Sequence, residues 1–166
     1  YHLEGTVEKK INKITRHAKI LFEKGLYPQC LKLLAKAKQL AEKYENLLLF
    51  IEILKLEETT MRRMYDIQKL ETHIENSFRE REQTLKKMTI LNQYEKLYLQ
   101  QYLLVNKEGV ARNPEYRKQF AIITGHPLMK DKKLATSHEA RLLYHSIQGI
   151  HQMFLGKLES CHDATM

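Results

Sequence analysis

The sequence is poor in the two residue types that most often end helices and form turns. Its 166 residues include only three prolines (Pro28, Pro114 and Pro127) and six glycines, and residues 29–108 contain neither. Sheet proteins need frequent turn residues, so a run of this length excludes a β-rich fold and favours helices. An apolar content of 43% is ordinary for a folded protein and argues against disorder.

Cysteine is equally scarce. Cys30 and Cys161 are too few for a disulfide framework, and neither belongs to a CxxC metal motif. Both stand where a helix needs a small apolar residue, so we expect buried free thiols, which suit a reducing cytoplasm. No run of 18 apolar residues occurs, since the densest segment, residues 47–53, is interrupted by Glu52. We therefore predict a cytoplasmic chain that does not bind a membrane.

The length suits one domain with its own core, and we predict a single domain over residues 1–166. The chain opens at Tyr1 in place of methionine and stops within a helical pattern at Met166. We interpret it as an excerpt of a longer protein, and whether a signal or anchor precedes Tyr1 stays open.

The net charge of +8 is concentrated towards the two ends of the chain. Residues 1–65 carry 13 Lys and Arg against 8 Asp and Glu, whereas residues 66–110 carry 7 of each sign. A basic excess fits nucleic acid, an anionic membrane or a solvated lysine-rich surface. We favour the solvated surface.

The first half of the chain shows apolar residues at steps of three and four, which predicts amphipathic helices. A first helix ends at Gly25, and Pro28 lies in the first turn of the second. The third, about residues 46–63, is apolar nearly all round, which predicts a central position. The two buried stripes of the first pair are Val7, Ile11, Ile14, Ala18 and Leu21, and Cys30, Leu34, Ala37 and Ala41.

The second half continues in the same way. Asp66 is the predicted N-cap of a helical stretch to residue 106, for which we favour two helices with a turn near 82–85, because a hairpin buries more apolar surface. Asn113 and Pro114 predict a short helix that ends at Thr124, and residues 126–133 are expected to be irregular. Thr136 with Glu139 predicts a capping box for the next helix, and Gly156 a turn into the last one.

Two stretches of the chain share one pattern, a helix end, a glycine and a second helix that starts on a small residue. They run from Phe22 through Gly25 to Cys30, and from Phe154 through Gly156 to Cys161. A hairpin at both ends of a chain is typical of stacked helical repeats, which bind other macromolecules along an extended surface.

The first hairpin resembles a tetratricopeptide repeat. The residues that match its bulky, small and turn positions are Ile14, Ala18, Leu21, Gly25, Tyr27, Cys30, Leu34 and Ala37. His17 replaces the usual leucine, and Glu42 stands where proline normally closes the unit. The last hairpin matches at Gly149, Gly156, Leu158 and Cys161, but His145 and Gln152 take aromatic positions. The resemblance implies an all-α fold of about seven helices in antiparallel hairpins, stacked as a right-handed superhelix.

In tetratricopeptide-like arrays the first helix of each hairpin lines a groove that holds a partner. The resemblance carries this role to Asn12, Thr15, Lys19 and Phe22, and in the last hairpin to Leu143, Ser146, Ile150 and Met153. The subset that binds chaperone tails holds a carboxylate with lysine where Thr15 stands and asparagine where Lys19 stands, so that role is not expected. One cation, small polar groups and an aromatic suit a peptide held partly by apolar contact.

Catalytic and metal motifs are missing from the sequence. His138 and Glu139 begin like a zinc-protease helix, but Leu142 takes the place of the second histidine. No glycine-rich phosphate loop or nucleophile elbow occurs. We predict that the chain is not an enzyme and that it binds neither metal nor cofactor.

Three tyrosines, Tyr94, Tyr98 and Tyr102, lie at steps of four on a helical face. They could stack nucleobases or grip a peptide. We favour packing between helices, because Leu91 and Val105 extend the same stripe.

These patterns predict a non-catalytic protein–protein interaction scaffold that binds a peptide or a partner helix in a helical-repeat groove. The alternative is nucleic-acid binding through the basic ends. A regulatory or sensor segment of a larger protein, and a homodimer, also stay open. The phosphate contacts of the alternative would come from Lys9, Lys13, Arg16, Lys130, Lys132 and Lys133.

Overall fold

The computed structural model describes residues 2–64, 67–107 and 114–163. Within these ranges the chain is all-α, as the sequence predicts, with seven α-helices and no strand. A 3₁₀ turn, Lys132–Leu134, precedes the last helix. The α-helices are α1 (His2–Glu23), α2 (Tyr27–Lys43), α3 (Leu47–Arg63), α4 (Ile67–Val105), α5 (Pro114–Thr124), α6 (Pro127–Lys130) and α7 (His138–Asp163).

The chain divides into two compact units, residues 1–86 (unit 1) and residues 87–166 (unit 2), and the boundary falls within α4. Each unit has its own hydrophobic core. None of the helices in the described ranges combines the length and the apolar character needed to span a lipid bilayer. Of the predicted N-caps, Asp66 and Asn113 lie outside the described residues.

Unit 1 begins with two antiparallel pairings, α1 with α2 and α2 with α3, and α1 also contacts α3. The stripes predicted for the first two helices form its core. Cys30 is confirmed as a buried free thiol. Burial raises its pKa, and the side-chain contact with Thr60 offsets only part of that rise. The buried apolar residues are Ile11, Ala18, Cys30, Leu34, Ala37, Ala41, Phe50, Ile53 and Leu54.

The turn after α1 is a Schellman motif. The Leu26 N–H donates to the Leu21 carbonyl oxygen at 2.9 Å, and the Gly25 N–H donates to that of Phe22 at 3.0 Å. Gly25 has φ of +71°, in the left-handed region that glycine enters without a steric penalty. The glycine turn expected between the first two helices is thus confirmed.

The turn after α2 repeats the same motif with a different residue. The Asn46 N–H donates to the Ala41 carbonyl oxygen at 2.8 Å, the Glu45 N–H donates to that of Glu42 at 3.1 Å, and Glu45 has φ of +49°. The Asn46 side chain then accepts from the Leu49 N–H and caps α3. The α1–α2 and α2–α3 connections therefore have the same turn geometry.

We expect Gly25→Ala to lower the free energy of unfolding by about 1 kcal/mol, because a side chain at positive φ is strained. Crowding contributes nothing, since no neighbouring atom lies within 4 Å of the added Cβ. Gly149→Ala is the matched control, because its Cβ also meets open space but its backbone is helical. That change should raise the free energy by up to about 1 kcal/mol. Urea unfolding of both variants checks the prediction, and shifts of the same sign would contradict it.

The turn predicted near residues 82–85 is wrong, because α4 runs unbroken from Ile67 to Val105. No proline or glycine interrupts this stretch. The polar patch of this helix is accommodated without a turn, because Arg81 forms an ion pair with Glu58 of α3 and Thr84 is buried. Polar pairing with neighbouring helices thus replaces the apolar contacts that a hairpin would have supplied.

The turn predicted at Gly156 is also wrong. Helix α7 continues through Gly156 to Asp163, so the described residues contain no hairpin there. A single glycine costs a helix about 1 kcal/mol relative to alanine, which an otherwise favourable helix tolerates. The second copy of the hairpin pattern is therefore a likeness of sequence only. Leu143, Ser146, Ile150 and Met153 lie along α7 instead of in a hairpin.

The start of α7 and the segment before it also differ from expectation. Ser137, not Thr136, caps the helix, because its hydroxyl oxygen accepts from the Ala140 N–H at 3.1 Å. The segment 126–133, expected to be irregular, contains α6 and the start of the 3₁₀ turn. His126 and Asp131 cap these two short elements with side-chain acceptors. Local capping chemistry outweighs the turn signals of this stretch.

Unit 2 packs the second half of α4 with α5, α6 and α7. Tyr94 is buried, and its hydroxyl donates to the Leu128 carbonyl oxygen at 2.7 Å, while the Gln101 amide donates to that of Ile147 at 3.0 Å. Packing is thus confirmed for Tyr94, but Tyr102 and Val105 are exposed. Steps of four drift around a helix with 3.6 residues per turn, so the buried line runs through Leu97 and Leu104 instead.

Candidate partner-binding face

The four groove residues predicted from the sequence lie on α1 in unit 1. Asn12 and Lys19 are exposed, Phe22 is half-buried, and Thr15 is only 5% exposed. Their spacing of three, four and three keeps them on one side of the helix. The Thr15 hydroxyl has no hydrogen-bond partner among the described residues. Thr15 therefore lies beneath the surface that the other three residues form.

Lys19 links this side of α1 to α3. Its Nζ lies 2.9 Å from Oε1 of Glu52, and both side chains are about half exposed. An exposed pair of this kind contributes at most about 1 kcal/mol to stability. The ion pair identifies the side of α3 that adjoins the predicted groove residues.

Leu48 precedes Glu52 by one helical turn and so lies on the same side of α3. Leu48 is 70% exposed. On α1, the ring of Phe22 lies 5.6 Å from that of Tyr27, which limits its freedom. We call the surface formed by Asn12, Lys19, Phe22, Leu48 and Glu52 the α1–α3 face.

The α3 half of this face was not predicted from the sequence. The third helix was expected to be covered on several sides, but only Phe50, Ile53 and Leu54 of its apolar residues are fully buried. A signal was present, since Glu52 is the one charge within the apolar run 47–53. A lone charge in such a run indicates a side that water or a partner reaches.

Unit 1 also contains a group of charged side chains where α2, α3 and α4 meet. Lys38 of α2 lies 3.6 Å from Glu57 of α3 and forms a second ion pair with Glu80 of α4. Arg81 of α4 lies 3.0 Å from Oε2 of Glu58. We call these five residues, with the half-buried His73, the Lys38 cluster. Its ion pairs connect the first half of α4 to α2 and α3.

Burial shifts two pKa values in this cluster. It raises the pKa of Glu57, an effect that Lys38 opposes and Glu80 reinforces. It lowers the pKa of His73, and Lys38 lowers it further while Glu80 and Glu58 raise it. Both groups are thereby biased towards their neutral forms, because low-polarity surroundings disfavour charge.

The two shifts should give unit 1 opposing pH dependences. The folded state holds the Glu57 proton more tightly, so that contribution is full below the ordinary pKa of 4.5 and is lost as pH rises through the folded pKa. The folded state releases the His73 proton more readily. Its contribution is full above 6.5 and is lost as pH falls through the folded pKa.

Relative to the unmodified chain, Glu57→Gln should therefore gain stability as pH rises from about 5 to 7, and His73→Gln should lose it. Urea midpoints measured across this range check both variants, and His17→Gln on the exposed side of α1 is the control. Parallel slopes for the two variants would contradict the assignment.

Nothing in the described ranges resembles a metal centre. No group of three or more His, Cys, Asp or Glu side chains is placed there to hold an ion. The chemistry that the α1–α3 face offers is that of surface recognition, with two apolar side chains beside one charge of each sign.

The chain matches no family model, and it has no significant match among curated proteins or solved structures. The tetratricopeptide resemblance therefore stays a prediction, as does the superhelical stacking that it implies.

Proposed function

We propose that the chain is a non-catalytic protein–protein interaction module that holds a peptide or a partner helix against the α1–α3 face. The observation that carries the proposal is the contact between Lys19 and Glu52, which joins α1 to α3. The Schellman turns at Gly25 and Glu45 support it, because they give the α1–α2 and α2–α3 connections the same geometry. The tetratricopeptide resemblance predicts a ligand on this side of α1.

The chemistry of the α1–α3 face points to the kind of partner. Phe22 and Leu48 offer apolar contact, so the partner supplies at least one apolar anchor. Lys9, Lys13 and Arg16 are exposed on α1 and form no ion pair with the described residues. They favour a partner with acidic residues beside that anchor, through long-range attraction. A cytoplasmic location is part of the proposal and is supported by the free thiol of Cys30.

Selection from a random peptide library on the purified chain tests the proposal. We expect selected peptides to combine acidic residues with a large apolar residue. Lys19→Glu should weaken their binding at least tenfold, by about 1.4 kcal/mol. Lys36→Glu, the same charge change at an exposed position of α2, should have little effect. Leu48→Ala should also weaken binding, with the exposed Ile122→Ala of unit 2 as its control. Equal binding by all four variants would contradict the proposal.

Nucleic-acid binding is the second candidate, favoured by the exposure of Lys9, Lys13 and Arg16 at steps of four and three on α1. Lys130, Lys132 and Lys133 are exposed in unit 2. This function predicts retention on single- or double-stranded nucleic acid, with affinity that falls steeply as salt rises. No retention at about 50 mM salt would exclude it.

A further inference from the structure

Unit 2 contains an open groove that the proposed function does not use. Its volume is about 600 Å³, within the range of small-molecule sites. It lies between the end of α5 and one side of α7, where His145, Gln148, Gly149 and Gln152 follow the helical spacing of three, one and three. Gly125 and Gly149 carry no side chain, so a flat ligand can approach the backbone of both helices.

One wall of the groove ends a stack of rings. The Phe120 and Phe154 centroids lie 4.3 Å apart with planes 13° from parallel, and His151 stacks on Phe120 at 5.7 Å and 23°. His151 also lines the groove. The Nδ1 atom of His151 is buried and has no hydrogen-bond partner among the described residues. A planar ring in the groove would extend this stack, and planar rings gain from offset stacking.

The polar groups of the groove are oriented by their neighbours. The Gln148 amide nitrogen donates one of its two N–H groups to the Tyr144 hydroxyl at 2.8 Å, which leaves the amide oxygen and the second N–H for a ligand. The Thr124 hydroxyl donates to the Phe120 carbonyl oxygen at 3.1 Å, which leaves its lone pairs. Both side chains thus offer an acceptor to a ligand that donates. None of the described lining residues is Lys, Arg, Asp or Glu, which disfavours an ionic group as the anchor.

We propose that this groove binds a planar heterocycle that carries an exocyclic amino group and is about the size of a nucleoside. The ring stacks on His151 and lies over Gly125 and Gly149, and its amino group donates to the acceptors of Gln148 and Thr124. In nucleic-acid recognition, amide oxygens likewise accept from the amino group of adenine, while the amide nitrogen donates to N7. A free nucleoside and an unpaired base of a single strand share this chemistry.

Adenosine and purine riboside form a matched pair of probes, because purine riboside has a hydrogen atom where adenosine has its amino group. In an NMR titration of the full chain, adenosine should shift the amide signals of Thr124, Gln148 and Gly149. Purine riboside should bind at least tenfold more weakly, and Gln148→Leu should weaken adenosine at least tenfold and remove the difference between the two probes. Equal affinities for the two nucleosides, shifts confined to other residues, or no binding at millimolar adenosine would overturn the proposal.

Two further variants keep the test independent of folding. Ser146→Ala, exposed on α7 but outside the groove, should bind adenosine normally, whereas Gly149→Leu should fill the groove and abolish binding. Loss of binding in both would contradict the site. A six-nucleotide adenylate strand identifies the source of the base. A gain of tenfold or more over adenosine, with the same shifts, assigns the groove to single strands, and equal affinity assigns it to free nucleosides.

Discussion

Phe120→Ala should lower the free energy of unfolding of unit 2 by about 4 kcal/mol, the largest effect we expect from a single change. Phe120 is only 1% exposed, and its ring stacks on those of Phe154 and His151. Removing it withdraws a large apolar surface from the core and leaves a cavity beside two rings of α7. The loss then adds a cavity cost to the lost transfer energy.

Hydrogen exchange resolves this effect by unit. We expect amides of α5 and α7 to lose protection in Phe120→Ala, while those of α1 and α2 keep it, because unit 1 has a separate core. Ile122→Ala is the control on the same helix, since Ile122 is 72% exposed and should change stability by no more than about 0.5 kcal/mol. Similar losses in the two variants would show that α5 does not pack through Phe120.

Lys38→Met should lower the free energy of unfolding of unit 1 by about 2 kcal/mol at pH 7. The side chains of Lys38 and Glu57 are 23% and 9% exposed, so solvent screens their attraction only in part. Without the ammonium group, the Glu57 carboxyl, whose side chain is only 9% exposed, loses its ion-pair partner in poorly hydrated surroundings. Breaking a buried pair costs more than the pair itself contributes, because the remaining charge has no partner.

The same change should matter less at pH 5 than at pH 7, since burial already raises the pKa of Glu57 and protonation removes its charge. The double variant Lys38→Met, Glu57→Gln should recover more than half of the loss. Lys36→Met, at an exposed position of α2, is the control. A double variant that is less stable than Lys38→Met alone would show that the Lys38 cluster is not held by this pair.

The first helix pair could be predicted closely from the sequence because every local signal agrees there. The apolar stripes, Gly25 and Pro28 all favour one hairpin, and the stripe residues Ile11, Ala18, Cys30 and Leu34 are fully buried. Consistent local signals of this kind are what specify a fold. The groove residues came from the tetratricopeptide resemblance instead, and of these Asn12 and Lys19 are exposed, Phe22 is half-buried and Thr15 is buried.

The wrong predictions concern segments whose structure depends on contacts with residues distant in the sequence. The polar patch of α4 suggested a turn, but its charged residues form ion pairs with Lys38 and Glu58 of other helices within an unbroken helix. Gly156 suggested another turn, but glycine alone does not end a helix. Glu52 and Leu48 could not be assigned to the α1–α3 face before the packing of α1 on α3 was known.

The central claim is that a peptide partner binds the α1–α3 face, and mapping a selected peptide by NMR tests it most directly. We predict that amide signals of Asn12, Lys19, Phe22, Leu48 and Glu52 shift on titration, and that the charge exchange Lys19→Glu, Glu52→Lys weakens an acidic peptide at least tenfold while the fold is kept. Shifts confined to unit 2, or unchanged affinity in the exchanged variant, would contradict the claim.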